Sequence, residues 1–94
     1  MADDTQELVG RARADLAARL GISAGEVREE AVERDDFPDA SLGAPTAGEM
    51  SAMMITPGWR IRLSANGRAY EYRATRTQLR LCGFGGANYR IQGC

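Results

Sequence analysis

The fold is decided by residues 59–74, which read WRIRLSANGRAYEYRA around the central pair Asn66-Gly67. Asparagine and glycine tolerate the positive φ angles that a type I′ turn requires, and strand-forming residues flank them on both sides. A turn of two residues also fixes the register of the strands that it joins. We therefore expect an antiparallel β-hairpin turning at Asn66-Gly67, at the centre of one small α+β domain.

The register of this hairpin predicts one apolar and one charged face. The apolar face pairs Leu63 with Tyr70, Ile61 with Tyr72 and Trp59 with Ala74. The charged face pairs Arg62 with Glu71 and Arg60 with Arg73, and Arg80 on a later strand extends it. Because each good cross-strand pair contributes roughly 0.2 to 1 kcal/mol, we expect the apolar face to hold much of the core.

An amphipathic helix precedes the hairpin in the sequence. Its apolar residues recur at helical spacing from Leu8 to Leu20, Asp4 or Thr5 can cap its start, and Gly21 can end it. We expect this N-terminal helix to pack on the apolar face of a roughly four-stranded antiparallel sheet.

Residues 23–34 fit two interpretations. Ser23 and Glu26 match a capping box and the Glu-rich run favours a helix, but the apolar residues of the stretch fit a strand period equally well. Residues 35–39, which read DDFPD, predict a break in the secondary structure after this stretch.

The second half of the chain alternates loops and short strands. Ser41–Glu49 contains two glycines and a proline and is predicted to be a loop, Met50–Thr56 a short strand, and Leu79–Cys82 the last strand. We place one domain at residues 1–82 and a Gly-rich C-terminal tail at residues 83–94.

The composition is that of an ordinary soluble globular chain, with 44% hydrophobic and 27% charged residues in 94. The apolar stretches are far too short to span a bilayer, and the acidic N-terminus lacks the apolar segment of a secretory signal. We expect a monomer without a membrane span. The chain as given is expected to be cytoplasmic, unless a signal has been removed from a longer protein.

All twelve basic residues are Arg, and they are unevenly spread. Residues 1–55 hold five Arg against twelve acidic residues, whereas residues 56–94 hold seven Arg against Glu71 alone. The two halves can pair electrostatically within one fold. A basic patch for nucleic acid is a second interpretation, but the net charge of −1 weakens it.

Several short motifs occur in a recognisable order: FPDASLG at 37–43, TPGWRI at 56–61, the Asn66-Gly67 turn, YEY at 70–72 and LC at 81–82. This order resembles a family of small bacterial secreted or lipoprotein-type domains of unknown function, over roughly residues 8–82. The resemblance implies a helix followed by an antiparallel sheet. It also implies that residues 26–34 form a strand, and we adopt that prediction.

Two departures from the family pattern concern its chemistry. The family pattern has Cys where this chain has Ala44, and His where this chain has Arg73. If the Cys pair of the family forms a disulfide, Cys82 has lost that partner here. The resemblance therefore implies a relative adapted to a reducing compartment.

Catalysis is not expected. The chain has no His, which is the commonest general base and zinc ligand, and its two Cys cannot complete a four-Cys zinc site. Paired carboxylates such as Glu29-Glu30 occur in an acidic run typical of solvated surface. We therefore predict no enzyme activity, no metal and no cofactor.

The interpretation that we adopt is a non-catalytic module that binds a protein or peptide. Its predicted contact surfaces are the loop that begins at Ser41 and the Arg-rich face of the sheet. The predicted partner-binding residues are Ser41, Leu42, Ala44, Arg60, Arg62 and Arg73.

The tail suggests an alternative. Gly85-Gly86, followed by eight residues ending in Cys94, resembles the leader–core boundary of ribosomally made, modified peptides. Residues 1–86 would be a folded leader cleaved after Gly86, and a modifying enzyme acting on the core, 87–94, would be the partner. The candidate modified residues are Asn88, Tyr89 and Cys94.

Two further alternatives rest on weaker patterns. Residues 44–48, APTAG, and 83–86, GFGG, are similar to two loop motifs of chagasin-like cysteine-protease inhibitors. The Arg-rich sheet face is compatible with a module that binds single-stranded nucleic acid, but the aromatic residues are expected on the opposite, core face, which disfavours nucleic acid as a partner.

Overall fold

The computed structural model describes residues 4–91. Helix α1 spans Asp4–Leu20, and a single 3₁₀ turn, Ala24–Glu26, follows it. The strands are β1 Arg28–Phe37, β2 Thr56–Ala65, β3 Arg68–Ala74, β4 Leu79–Phe84 and β5 Ala87–Arg90. They form one antiparallel sheet in the order β1-β2-β3-β4-β5. The predicted α+β class is confirmed, with five strands in the described residues where roughly four were expected.

Helix α1 covers one face of the sheet. Gly21 ends it at φ 69°, and the N–H of Ile22 donates to the carbonyl of Ala17 at 3.0 Å, which satisfies an otherwise free helical carbonyl. The core between helix and sheet includes Leu8, Val9, Ala12, Leu16, Ile61, Leu63, Tyr72, Leu79 and Leu81. No helix in the described part of the chain is long and apolar enough to cross a membrane.

The central hairpin has the predicted register. Leu63 pairs with Tyr70, Ile61 with Tyr72, Trp59 with Ala74, Arg62 with Glu71 and Arg60 with Arg73. Asn66 and Gly67 have φ angles of 54° and 77°, as a type I′ turn requires. The local turn chemistry therefore determined the pairing of the two central strands.

Residues 28–37 form an edge strand, which confirms the strand interpretation of 26–34 for nearly all of its length. The Ser23–Glu26 capping box closes only the 3₁₀ turn, with the Ser23 N–H donating to the Glu26 carboxylate at 2.9 Å. The break predicted at 35–39 is wrong at its start, because β1 continues to Phe37, which pairs with Thr56. Pairing with β2 overrides the weak strand propensity of Asp35-Asp36.

The strand predicted at Met50–Thr56 is wrong, because β2 begins only at Thr56 and residues 50–55 are irregular. The run is apolar, yet it belongs neither to a strand nor to the core cluster. Helix α1 covers one face of the sheet, and residues 38–49 lie across part of the other. Most of its large side chains therefore remain exposed.

The glycines of the predicted tail form a second tight turn. β4 extends to Phe84, which pairs with Ala87 of β5 across Gly85-Gly86, at φ 60° and 86°. Two glycines permit the same left-handed conformation as Asn66-Gly67. The described part of residues 83–94 thus belongs to the sheet.

Candidate protein-binding site

Residues 38–49 lie across the face of the sheet opposite α1, and we call them the strap. The strap begins with a polar turn centred on Asp39. One carboxylate oxygen of Asp39 accepts hydrogen bonds from the Ser41 hydroxyl at 2.6 Å, the Ser41 N–H at 2.9 Å and the Gly43 N–H at 3.1 Å. The Ser41 hydroxyl is the largest cause of a lowered Asp39 pKa.

A tight turn follows at Ser41–Ala44. The Ala44 N–H donates to the Ser41 carbonyl at 3.0 Å, and the two central residues, Leu42 and Gly43, have φ angles of 60° and 68°. A positive φ is unfavourable for a branched side chain such as leucine. Leu42 is fully buried, so its packing offsets that cost. The FPDASLG motif at 37–43 is thus a structural motif that folds the chain back over the sheet.

Arg80 anchors the far end of the strap. Its guanidinium donates to both carboxylate oxygens of Glu49, at 2.6 and 2.7 Å, and to the Ala44 carbonyl at 3.2 Å, while its Nε donates to Gln78 at 2.8 Å. Arg80 is 1% exposed. The Arg80 hydrogen bonds, followed by the Thr46 N–H, lower the pKa of Glu49 to about 2.

Three further side chains fix the strap to the sheet through its carbonyls. Arg73 donates to Leu42, Gln78 to Ala40 and Asn88 to Pro45, each at 2.9 Å. As a result Ser41, Leu42 and Ala44 are at most 1% exposed. The structure therefore places these three predicted contact residues inside the molecule.

The Arg-rich face is largely neutralised by its own carboxylates. Glu71 lies 2.8 Å from Arg73, 3.7 Å from Arg60 and 3.8 Å from Arg62, and Arg60 also binds Asp35 at 2.6 Å. Arg62 is the most exposed of the three arginines, with about half of its side chain accessible. The predicted contact residues on this face thus form an ion-pair network with Arg62 at its open side.

The candidate processing residues of the tail have structural positions. Gly86 is the second residue of the β4–β5 turn, and Asn88 binds the strap. Tyr89 is 37% exposed, with the Arg19 guanidinium 4.6 Å above its ring. Cys94 lies outside the described residues. These placements bring Gly86, Asn88 and Tyr89 into the folded sheet.

The most exposed large apolar side chains follow the strap directly. Residues 50–55 form what we call the methionine segment, in which Met50 is 97%, Met53 87%, Ile55 70% and Met54 58% exposed. No charged residue occurs between Glu49 and Arg60 in the sequence. Exposed apolar surface concentrated in so short a segment commonly marks an interaction site.

The methionine segment is held at both ends. Glu49 immediately before it is bound by Arg80, and Thr56 immediately after it begins β2. Within it, the Ala52 carbonyl accepts a hydrogen bond from the N–H of Ala40 at 3.0 Å. The exposed side chains are therefore presented from a positioned backbone.

Sequence reasoning missed this surface because an apolar run beside a hairpin is typical of a core strand. Two features of residues 50–55 indicated otherwise. The run MSAMMI does not alternate strictly, and methionine is a poor strand former compared with the β-branched and aromatic residues.

Cys82 is the thiol in the described part of the chain. Cys82 is half-buried, and burial is the largest cause of a raised pKa of its thiol, which favours the unreactive protonated form. Within residues 4–91, no group of three or more His, Cys, Asp or Glu side chains could hold a metal ion.

The model of a family described as a Domain of unknown function (DUF8738) matches residues 9–82, and the chain therefore belongs to this family. No curated protein matches the chain, and no solved structure does either.

Proposed function

We propose that this member of a family of unknown function is a non-catalytic module that binds a protein or peptide, and that the methionine segment is its main contact surface. The observation that carries the proposal is the exposure of Met50, Met53, Met54 and Ile55. Keeping four large apolar side chains in water forgoes roughly 1.5 to 3 kcal/mol each of burial energy. A partner that covers them would recover part of it.

The chemistry of the segment indicates an apolar partner surface. The flanking charges are already engaged, since Glu49 is bound by Arg80 and Arg60 by Asp35. The contact would therefore depend on hydrophobic burial more than on charge. Methionine side chains are flexible and polarisable, so they adapt to partner surfaces of different shape.

The anchored strap favours binding in energetic terms. Association costs free energy when a loop must be ordered at the interface. Here the bidentate Arg80–Glu49 pair and the Ala40–Ala52 hydrogen bond already position the backbone on either side of the exposed methionines. Less ordering is then required when the partner binds.

The features behind the alternative functions have structural roles that make the module the better-supported proposal. Gly85-Gly86 forms a hairpin turn. The APTAG stretch accepts hydrogen bonds from Arg80 and Asn88 through the carbonyls of Ala44 and Pro45. The arginines of the Arg-rich face form ion pairs with Glu71 and Asp35. The precursor alternative keeps a direct test: it would be contradicted by protein from its native host in which the bond after Gly86 is uncut and residues 87–94 are unmodified.

The proposal is tested with a library of random peptides displayed on phage and selected on the immobilised protein. We expect enrichment of apolar sequences, and a synthetic copy of an enriched peptide should bind the Met50→Ser/Met53→Ser variant about tenfold more weakly or worse, because two buried side chains are lost. A matched control is Glu29→Ser/Arg28→Ser, two exposed polar changes on β1, which should leave the affinity unchanged.

Two results would overturn the proposal. One is a selection that enriches no sequence. The other is an enriched peptide whose affinity is the same for the methionine variant and for the wild type, because the contact would then lie elsewhere. Thermal unfolding of both variants verifies that they remain folded.

A further inference from the structure

A cleft lies between the first residues of β3 and the last residues of β4. It is near the C-terminal end of β2, whereas the methionine segment lies at the N-terminal end of that strand. The ladder between the two strands ends at the pair Glu71–Cys82, although β3 begins three residues earlier at Arg68. The cleft between these strand ends has a volume of about 540 Å³. Ligand clefts in proteins span roughly 300 to 1,000 Å³.

Gly83 lies in the wall of this cleft. Its φ of +65° is left-handed, and the β4–β5 register shifts between Leu81 and Phe84, which together describe a bulge with glycine at the bulged position. The Gly83 N–H donates to the side-chain oxygen of Asn88 at 2.9 Å, which holds the bulge in place. The pairing of β4 with β3 extends only to Cys82, the residue before this bulge.

A strand edge is open at Ala69. The pair that closes a two-residue hairpin, here Ala65 and Arg68, exchanges hydrogen bonds, and successive residues of an antiparallel strand point their N–H and C=O groups to opposite sides. Ala69 therefore directs its backbone groups away from β2. The β3–β4 ladder does not reach it, so one donor and one acceptor face the cleft.

The walls of the cleft combine apolar rings with a positive charge. Tyr70 and Phe84, whose ring centroids are 6.0 Å apart, and Leu20 line the apolar side. Arg68 lies on the same face of β3 as Tyr70, whereas Glu71 lies on the opposite face, where its charge is already offset by Arg73 at 2.8 Å. The uncompensated charge of the cleft is therefore positive, and it favours an acidic ligand.

We propose that this cleft binds a short extended peptide segment by strand addition. One residue of the segment pairs with the backbone of Ala69, an aromatic or large apolar side chain packs on Tyr70 and Phe84, and an acidic side chain meets Arg68. Strand addition at an open edge supplies main-chain hydrogen bonds, and alternate side chains supply specificity. The site is separate from the methionine segment and does not depend on it.

Charge also discriminates between possible segments. A basic segment would be repelled by Arg68. The strand β1 of a second copy carries negative charge, as the cleft requires. However, β1 is already paired along one edge with β2, and its register shifts between Glu29 and Ala31, so its acidic residues are irregularly spaced. A peptide that carries an aromatic and an acidic residue two positions apart, on one side of its extended chain, is the better fit, because Arg68 and Tyr70 share one face of β3.

The test uses a fluorescein-labelled peptide of sequence Ser-Phe-Thr-Glu-Ser and the full chain; an antiparallel segment with Thr opposite Ala69 places Phe at Tyr70 and Glu at Arg68. We expect saturable binding by anisotropy, with amide shifts in the ¹H–¹⁵N spectrum concentrated at residues 68–71 and 82–85. Arg68→Glu should weaken binding about tenfold or more through charge reversal. Arg90→Glu, an equally exposed arginine on β5, is the matched control and should bind as the wild type does.

A second variant and a second peptide address the backbone. Ala69→Pro removes the N–H that faces the cleft and spares the hydrogen bonds to β2, so it should fold and bind about tenfold more weakly. A peptide methylated at its central backbone nitrogens should lose binding similarly. If Ala69→Pro does not fold, the methylated peptide gives the same information.

Three results would overturn the proposal: no saturable binding at millimolar peptide, equal affinity for wild type and Arg68→Glu, or amide shifts outside the cleft. Concentration-dependent shifts at 68–71 without peptide would show a second copy as the occupant and would also overturn it. Binding of this peptide to the Met50→Ser/Met53→Ser variant should be unchanged, which separates this test from that of the proposed function.

Discussion

The strap and the methionine segment are consecutive in the chain, yet polarity and burial are reversed between them. The strap, 38–49, carries buried Ser41 and is held by the fully buried Arg80. The methionine segment, 50–55, leaves four large apolar side chains in water. In this region, whether a side chain is buried therefore depends more on its hydrogen-bond and packing partners than on its polarity.

The physical reason is the set of hydrogen bonds that Arg80 makes on the outer face of the sheet. Arg80 can be buried because four hydrogen bonds satisfy its guanidinium, and the carboxylate of Glu49 balances its charge. The strap that supplies Glu49 already covers part of this face. The stability predictions below test this contrast, from the largest expected effect to the smallest.

Arg80→Met should be the most destabilising of the substitutions considered. It leaves the Glu49 carboxylate and the Ala44 carbonyl without their main donor. Breaking a buried ion pair costs roughly 3 to 5 kcal/mol, and we expect about 3 because Glu49 is 20% exposed and can be partly rehydrated. Urea denaturation measures the change in the free energy of unfolding.

The double variant Arg80→Met/Glu49→Met is the control for this prediction. Removing both charges leaves no unpaired carboxylate, so the double variant should be more stable than Arg80→Met alone. If the double variant is less stable than Arg80→Met, the unpaired Glu49 carboxylate is not the cause of the destabilisation.

Truncation of a large apolar side chain to alanine should lower the stability of the protein much more before Glu49 than after it. Leu42→Ala removes a fully buried side chain and should cost about 2 kcal/mol or more. Met53→Ala removes a side chain that is 87% exposed and should change stability by less than about 0.5 kcal/mol. Thermal unfolding of the two variants measures the contrast, and equal losses would show that the methionine segment is part of the core.

Strong acid should weaken the attachment of the strap to the sheet. The pKa of Glu49 is lowered from 4.5 to about 2, so its stabilising contribution is complete above about pH 4.5 and is lost as the pH falls toward 2. The lowered pKa of Asp39 acts in the same direction. In Glu49→Gln, the fall in unfolding free energy over this range should be shallower than in the wild type. Identical pH profiles would exclude Glu49 as a source of the acid sensitivity.

Much of the fold was predictable from local signals. The Asn66-Gly67 turn predicted the hairpin and its register, and the helical spacing from Leu8 to Leu20 predicted α1. The strand at 26–34 was predicted only through the family resemblance, because its acidic run favours a helix in isolation. Gly85-Gly86 was a turn signal of the same kind as Asn66-Gly67, and its neighbours were interpreted as a tail.

The candidate sites were less predictable, because they depend on contacts distant in sequence. The segment with Ser41, Leu42 and Ala44 has the composition of an exposed loop. It is buried because Arg73 and Arg80 on the sheet donate hydrogen bonds to its backbone carbonyls. Met50–Ile55 has the composition of a core strand and is left outside. The cleft at Ala69 lies beside the bulge at Gly83, which is on the next strand and distant in the sequence.

The sequence by itself determined the elements whose cause is local: a helix with its glycine end, a hairpin with its register, and the absence of the histidine on which many catalytic and zinc sites depend. The tertiary structure alone decided which surface is buried and which is open. Burial depends on competition between segments for the two faces of one sheet. The strap occupies the outer face because it brings carboxylate and carbonyl acceptors to Arg80, and the methionine segment, which has no such groups in its side chains, remains in solvent.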